Sequence, residues 1–286
     1  MTENTNSPKI FVHAGAAHMD EITAVALLWL LRPELIGTIP TRVNALPQDF
    51  RLGIDWALDI GMEFAPTNNI FDHHQTGAPA DHCAASLLLS TLDPEFFEFL
   101  DRDPFPGTLS WFKVLRLVDT GGPFKFKKDH GALHGDVLGP VLTAMFEGPI
   151  EERNHAVKRL FHLMEGWRKK FEDQKAVDEE ARKIPLQFMD VDGLNVAILD
   201  TNNPKFISSL ERQLNWEAQN PAVVIFQDDR GEGLAMLRRG DHPRVNFAKI
   251  EASPHVSFAH KNGFICKTRS RLHPTISLAL VRDALD

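Results

Sequence analysis

Between His13 and Asp119 the chain carries histidines and carboxylates at positions where a ligand could be held. His13 closes an apolar stretch, and His18 and Asp20 open the segment that follows. Asp59 stands just before Gly61, Asp72-His73-His74 follows Phe71, and Asp119 stands before Gly121 and Gly122. Imidazole nitrogens combined with carboxylate oxygens suit Mn²⁺, Fe²⁺ or Zn²⁺, and one carboxylate can bridge two ions. Cys83 and Cys266 are the only cysteines. Two distant cysteines make neither a disulfide framework nor a thiolate zinc site, so a metal here needs His and carboxylate ligands. Each residue alone also has a plain structural use. Asp20 could cap a helix, Asp59 could bond to its own turn, and His18 could be a satisfied core histidine. The order H-x4-H-x-D-E, D-I-G, D-H-H-Q, D-x-G-G says more than any single member.

The elements that position these groups are legible in the pattern. Lys9 to Gly15 (KIFVHAG) reads as a buried strand ending in a small-residue turn. Asp20 to Leu31 reads as a helix with an acidic first turn and Pro33 beyond its end. Trp56 to Gly61 is a short strand, Ile70-Phe71 leads to another strand end, and Cys83 to Leu92 and Thr108 to Val118 read as helices. Strands alternating with helices predict an α/β fold with a mostly parallel N-terminal sheet. Ligands of such sheets bind at the carboxyl ends of the strands. Val157, Leu160, Phe161, Met164, Trp167 and Phe171 recur at helical spacing amid dense charge, which predicts a long amphipathic helix from Glu151 to Arg182. A smaller C-terminal α/β domain follows. Its strands are Leu194 to Leu199 and Ala222 to Phe226, with two more near Leu234 to Leu237 and Val245 to Ile250, and a helix from Lys205 to Leu214. The expected division is 1–150, a connecting helix over 151–185, and 186–286.

Composition limits the function. The chain has 286 residues and is 43% hydrophobic and 24% charged, which is ordinary for a globular protein. No apolar run approaches the length of a membrane span, and residues 1–8 lack the features of a signal peptide. The expectation is a soluble, cytoplasmic chain without membrane partners. There is no Tyr, so Tyr-based catalysis is excluded, although there are 20 Phe. The net charge is −8. The segment from Gly233 to Arg271 runs against it, since Arg238, Arg239, Arg244, Lys249, Lys261, Lys267, Arg269 and Arg271 are opposed there by only Asp241 and Glu251. An acidic metal-binding half and a basic anion-binding half would give this distribution, as would chance clustering on a solvated surface. No phosphate loop, dinucleotide fingerprint or nucleophile elbow is present. His130, His134 and Asp136 have helical ligand spacing, but Gly131 and Gly135 argue for a loop rather than a metal site.

The ordered set resembles the DHH phosphoesterase superfamily, and more closely its melanocyte-proliferating-gene branch, described as metal-dependent hydrolases and linked to RNA exonuclease activity. Val12 to Glu21 fits the branch motif T-H-x-G-x-F-H-x-D-E with Ala17 in place of Phe. Asp59 to Pro66 fits D-V-G-x-x-Y/F-D-P, and Asp72 to Gln75 is D-H-H-Q. Phe258 to Thr268 is a shortened version of F-V-H-A-S-G-F-I-G-G-x-K-T that lacks the Gly pair, which alters the implied anion-binding loop. The resemblance implies two divalent ions, Mn²⁺ by preference. His13 and His18 would hold one, Asp20, His73 and Asp119 the other, and Asp59 would bridge them. It places His74 at the substrate phosphate and Asp72 behind a histidine. A metal-activated water would hydrolyse a phosphoester, with short RNA, DNA or a nucleotide as substrate. Arg239, His260 and Lys267 are the candidates for gripping the rest of that substrate. A small-molecule phosphatase or pyrophosphatase, and a non-catalytic metal- or nucleotide-binding regulator, are the alternatives. Oligomeric state is not legible.

Overall fold

A computed structural model describes residues 7–103, 108–131, 138–201, 203, 206, 209–210, 220–228 and 231–286. The chain divides into two compact units, Met1–Phe171 and Glu172–Asp286. Among the described residues no helix is long and apolar enough to cross a membrane.

The first unit is built on a five-stranded sheet. Its strands are β1 (Ile10–His13), β2 (Thr41–Val43), β3 (Trp56–Leu58), β4 (Phe64–Ala65) and β5 (Ile70–Phe71), in the order β2-β1-β3-β5-β4. β2, β1, β3 and β5 run parallel, and β4 is an antiparallel edge. The apolar strands bury both faces. Ile10, Val12, Leu58 and Phe71 join the main core, and Phe11, Ala57, Ile60 and Ile70 form a smaller one. Parallel strands covered on both sides read as continuous apolar runs for this reason.

The helices are α1 (Met19–Leu31), α2 (Ala84–Leu92), α3 (Pro94–Asp101), α4 (Trp111–His130), α5 (Leu138–Glu147) and α6 (Ile150–Ala181). Every residue of α1 from Asp20 to Trp29 is buried. A helix apolar around most of its circumference belongs inside a core, and here it packs against α2. In α6 the stripe Val157, Leu160, Phe161, Met164 and Phe171 is buried in the core of this unit, and the Phe161 ring lies 6.0 Å from that of Trp29. The division between units falls within α6.

The second unit holds a six-stranded sheet of β6 (Leu186–Val191), β7 (Leu194–Leu199), β8 (Val223–Gln227), β9 (Leu234–Arg238), β10 (Val256–Ala259) and β11 (Ile265–Thr268), closed by α7 (Pro274–Asp283). Its order is β10-β11-β9-β8-β7-β6, and only β7 and β8 pair in parallel. The strand expected over Val245 to Ile250 is not formed. Val245 makes a single bridge to Leu285, and Phe247–Ile250 is a 3₁₀ turn. The Asn246 side chain accepts the Ala248 N–H, a local bond that competes with a ladder. The helix expected over 205–214 falls mostly outside the described residues, as do His134 and Asp136.

Candidate metal centre

Three neighbouring parallel strands deliver the centre. β1 ends in His13, β3 runs into Asp59, and β5 runs into Asp72 and His73. The β3 exit is a tight turn. Asp59 is left-handed at φ 59°, followed by Gly61 at φ 118° and Met62 at φ 55°. Asp is among the few non-glycine residues that tolerate this conformation. The Asp59 N–H donates to Phe71 O at 2.9 Å, and the Met62 N–H donates to Asp72 Oδ2 at 2.6 Å, so the two strand ends are stitched together.

Asp59 is 2% exposed, and among the described residues neither carboxylate oxygen has a hydrogen-bond partner. Three imidazoles surround it. His13 Nε2 is 3.3 Å from Oδ2, and His73 Nδ1 and His74 Nδ1 are 3.4 and 3.5 Å from Oδ1. His73 turns its other nitrogen to Asp119, with Nε2 3.2 Å from Oδ2. His18 Nδ1 is 3.7 Å from Asp119 Oδ1. Asp119 ends the first half of α4, where Gly122 leaves helical geometry at φ 76°. Asp72 accepts from the His74 N–H at 3.0 Å and lies 2.7 Å from the His74 ring nitrogen Nδ1. It therefore fixes the ring of a histidine whose side chain is 47% exposed.

Asp20 caps a helix, but not its own. Its two oxygens accept the Ala84 and Ala85 N–H groups at 2.8 and 2.9 Å, tying α1 to the start of α2. Ligand atoms of His13, His18 and Asp59 lie within 4.8 Å of one another, as do those of Asp59, Asp72, His73 and His74, and those of Asp20, Cys83 and Asp119. All eight N-terminal candidates thus fall into three adjoining groups. Cys83 was not expected among them. Burial, then the Asp20 charge, pushes its thiol well up, so it stays protonated at neutral pH.

Sequence reasoning also passed over Glu21. Its side chain is fully buried, and Oε1 accepts the His18 N–H at 3.0 Å. Oε2 is unpartnered and lies 3.6 Å from His13 Nε2. The signal available was an acidic residue directly after Asp20 on a helix that, beyond Thr23, is apolar to its end. Arg42 of β2 braces this corner by donating to His13 O at 3.3 Å and to Gly15 O.

The charges of the cluster oppose one another. Burial raises the Glu21 carboxyl to about 7. Burial, reinforced by the Asp59 charge, raises Asp119 to about 7. Burial, then the charges of Asp119 and Asp59, pushes Asp20 well up. Burial lowers His73, whereas the Asp59 carboxylate beside it raises His13. At Asp72 burial acts upward, but the donors from His74 and Met62 outweigh it and hold the carboxyl below its usual range. Buried carboxyls that repel one another, ringed by imidazoles and holding unpartnered oxygens, are what a divalent cation would satisfy. A cleft of about 440 Å³ opens over the cluster, lined in part by His13, His18, Asp59, Asp72 and His74.

The C-terminal candidates sit differently. Lys267 in β11 places Nζ 2.5 Å from Asp228 Oδ1, with little of either side chain exposed. His260 lies in the turn between β10 and β11. Its Nδ1 accepts the Asn262 N–H at 3.1 Å, and its ring stands 4.3 Å from that of Phe264. The expected anion loop is thus the turn of a β-hairpin. Arg239 follows β9, where its N–H donates to Ala222 O.

The model of the family MYG1_exonuc, described as an uncharacterised protein family (UPF0160), matches residues 9–87, under a third of the chain. That stretch holds every N-terminal candidate except Asp119. No curated protein matches. Among solved structures, the chain is similar to RecJ from Thermus thermophilus in complex with Mg²⁺, with 14% identity, a TM-score of 0.28, and coverage of 96% of this chain and 49% of that one. The same protein in complex with Mn²⁺ gives 13% identity, a TM-score of 0.27, and coverage of 96% and 51%. A putative family II inorganic pyrophosphatase from Methanococcus jannaschii gives 14% identity, a TM-score of 0.24, and coverage of 97% and 99%. The chain spans about half the length of the RecJ chains it matches.

Proposed function

We propose that the centre binds divalent metal and hydrolyses phosphoester bonds, with a phosphodiester of short nucleic acid or a nucleotide as substrate. The observation that carries this reading is Asp59, a buried carboxylate with two unpartnered oxygens facing three imidazoles. Such a group is costly unless a cation completes it. In this reading His13 and His18 would hold one ion, Asp20, His73 and Asp119 would hold a second, and Asp59 would serve both. Divalent ions held there, Mn²⁺ by preference, would supply a lowered pKa for water and a counter-charge for phosphoester oxygens.

The chain's own groups do the rest. Asp72 holds the His74 ring at Nδ1, which leaves Nε2 for a phosphate oxygen in the cleft. Glu21 braces His13 and the His18 backbone. The match over residues 9–87 to a family named for an exonuclease supports a phosphodiester rather than a monoester. Arg239, His260 and Lys267 are proposed as contacts to more remote phosphates. At Lys267 such a contact would have to compete with Asp228.

The test is hydrolysis by the full chain with Mn²⁺ of a chromogenic diester, pyrophosphate, cyclic dinucleotides and 5′-labelled oligonucleotides, beside elemental analysis of protein purified without chelator. Mn²⁺-dependent cleavage of a diester is expected. Turnover of pyrophosphate alone would favour a phosphatase. A protein that takes up metal and cleaves nothing on the panel would favour a binding role.

A further inference from the structure

The second half of α4 begins at the Gly122 kink with Pro123, a residue well suited to a first helical turn. It reads Pro-Phe-Lys-Phe-Lys-Lys-Asp-His. Phe126 is buried, and its ring stands 4.9 Å from that of His130. At about 100° per residue, Phe124 and Lys128 fall opposite Phe126, with Lys125 and Lys127 on the two flanks. Phe124 is 89% exposed, the highest value among the exposed large hydrophobic residues. Lys125, Lys127 and Lys128 are exposed, and their ammonium groups have no hydrogen bond or ion pair among the described residues. Asp129 is the one acidic residue of the half-helix.

This row starts a few residues after Asp119 in the chain. A Cβ built on Gly121 would meet Lys125 Cδ at 3.2 Å and Nζ at 3.8 Å. The Lys125 chain therefore lies against Gly121, two residues after Asp119. Lys127 and Lys128 continue away from it along a half-helix about 12 Å long.

We infer that the half-helix 123–130 is a docking platform for a single nucleic-acid strand, with Lys125, Lys127 and Lys128 on its phosphates and Phe124 against a base. The inference rests on the phosphodiesterase reading above and assigns its substrate a single-stranded form. Unpartnered lysines match a chain of phosphates, and an exposed aromatic offers an unpaired base a stacking face. A duplex would hide its bases from Phe124, and a small phosphate compound has no use for a row of cations leading away from the centre.

The experiment measures binding of the full chain to a labelled phosphorothioate oligonucleotide, which resists cleavage, as single strand and as blunt duplex. Fluorescence anisotropy is read across a salt series, with anionic vesicles as competitor. The variants are Phe124→Ala and the triple substitution Lys125→Gln, Lys127→Gln, Lys128→Gln. All four positions are exposed, and melting temperatures verify the fold. Phe124→Ala is expected to raise the single-strand Kd about fivefold or more while leaving the duplex little changed. The triple variant is expected to reduce the salt slope by about 2, since each single-strand phosphate contact contributes about 0.7. A single-strand Kd unchanged in both variants overturns the platform. So does an equal response of strand and duplex to Phe124→Ala, or tighter binding to vesicles than to the strand. A wild-type protein that cleaves a chromogenic diester but binds no strand overturns the platform alone. One that binds the strand through these residues and hydrolyses nothing overturns the phosphodiesterase reading alone.

Discussion

The two units place their charges differently. In the second unit, cations are matched with acids. Lys267 meets Asp228, Arg238 meets Asp241, Arg271 meets Asp200, and Lys249 meets Asp286. In the first unit the strand ends gather carboxyls and leave them unmatched. Four of the nine buried side-chain atoms without partners, among the described residues, belong to Glu21, Asp59 and His73. Matched charge is what a fold needs for itself. Unmatched buried charge costs stability and persists where something outside the chain completes it. The contrast explains why the basic excess from Gly233 to Arg271 is weaker as a sign of function than it looks along the chain. Much of it is cancelled by acids drawn from elsewhere.

The strongest way to break this comparison is Asp59→Asn. Asn accepts the left-handed backbone as readily as Asp, so the turn is kept and only the charge goes. Mn²⁺-dependent hydrolysis is expected to fall to background and Mn²⁺ affinity to drop at the whole centre. The metal-free variant is expected to melt above the metal-free wild type, because an unpaired buried charge has been removed. A variant that kept near-normal turnover would remove Asp59 from the centre.

Glu21→Gln tests a support one step back. Partners that orient ligands typically account for about 10–100-fold in metal affinity, and a loss in that range is expected by titration calorimetry, with the fold retained. An unchanged affinity would reduce Glu21 to a packing residue.

The pH dependence sharpens the same point. Glu21 and Asp119 titrate at about 7 in the metal-free fold, above the ordinary carboxyl values of about 4. The folded state therefore holds their protons more tightly than the unfolded chain. Their contribution to stability is fully present below about pH 4 and is lost as pH rises through about 7. Thermal melts of metal-free protein should show that loss, and Mn²⁺ should restore stability increasingly toward pH 8. Binding should also release protons, because the ion displaces them. Calorimetry at pH 6 in buffers of different ionisation enthalpy measures that release.

The second unit should respond in the reverse sense. Lys267→Ala is expected to cost about 1.5–3 kcal/mol of stability, since Asp228 loses a charged partner in a mostly buried place. Urea unfolding measures this, and turnover of a small diester serves as the comparison with Asp59→Asn. Arg271→Ala, in an exposed pair, should change stability by no more than about 0.5 kcal/mol.

Periodicity and residue type placed much of this molecule without its coordinates. Apolar runs ending in His13, Asp59 and Asp72 marked β1, β3 and β5. The spaced stripe from Val157 to Phe171 marked α6, and Gly121-Gly122 marked the break after Asp119. These are local signals, carried by a few consecutive side chains and the backbone they favour. Short edge strands such as β4, and β10 with its partner β11, gave no comparable signal. Val245 to Ile250 gave a misleading one, because the Asn246 side chain captured the backbone first.

The sequence alone thus determined which residues sit at strand ends and what kind of ligand their imidazoles and carboxylates suit. Only the tertiary structure decided which charges are satisfied. Asp20 also accepts from the Ala84 and Ala85 N–H groups, Lys267 is held by Asp228, and Glu21 and Asp59 are left with unpartnered atoms among the described residues. Partners 64 and 39 residues apart meet only when the chain has folded. Burial, which turns an ordinary carboxylate into a site, belongs to the packed core rather than to any stretch of the chain.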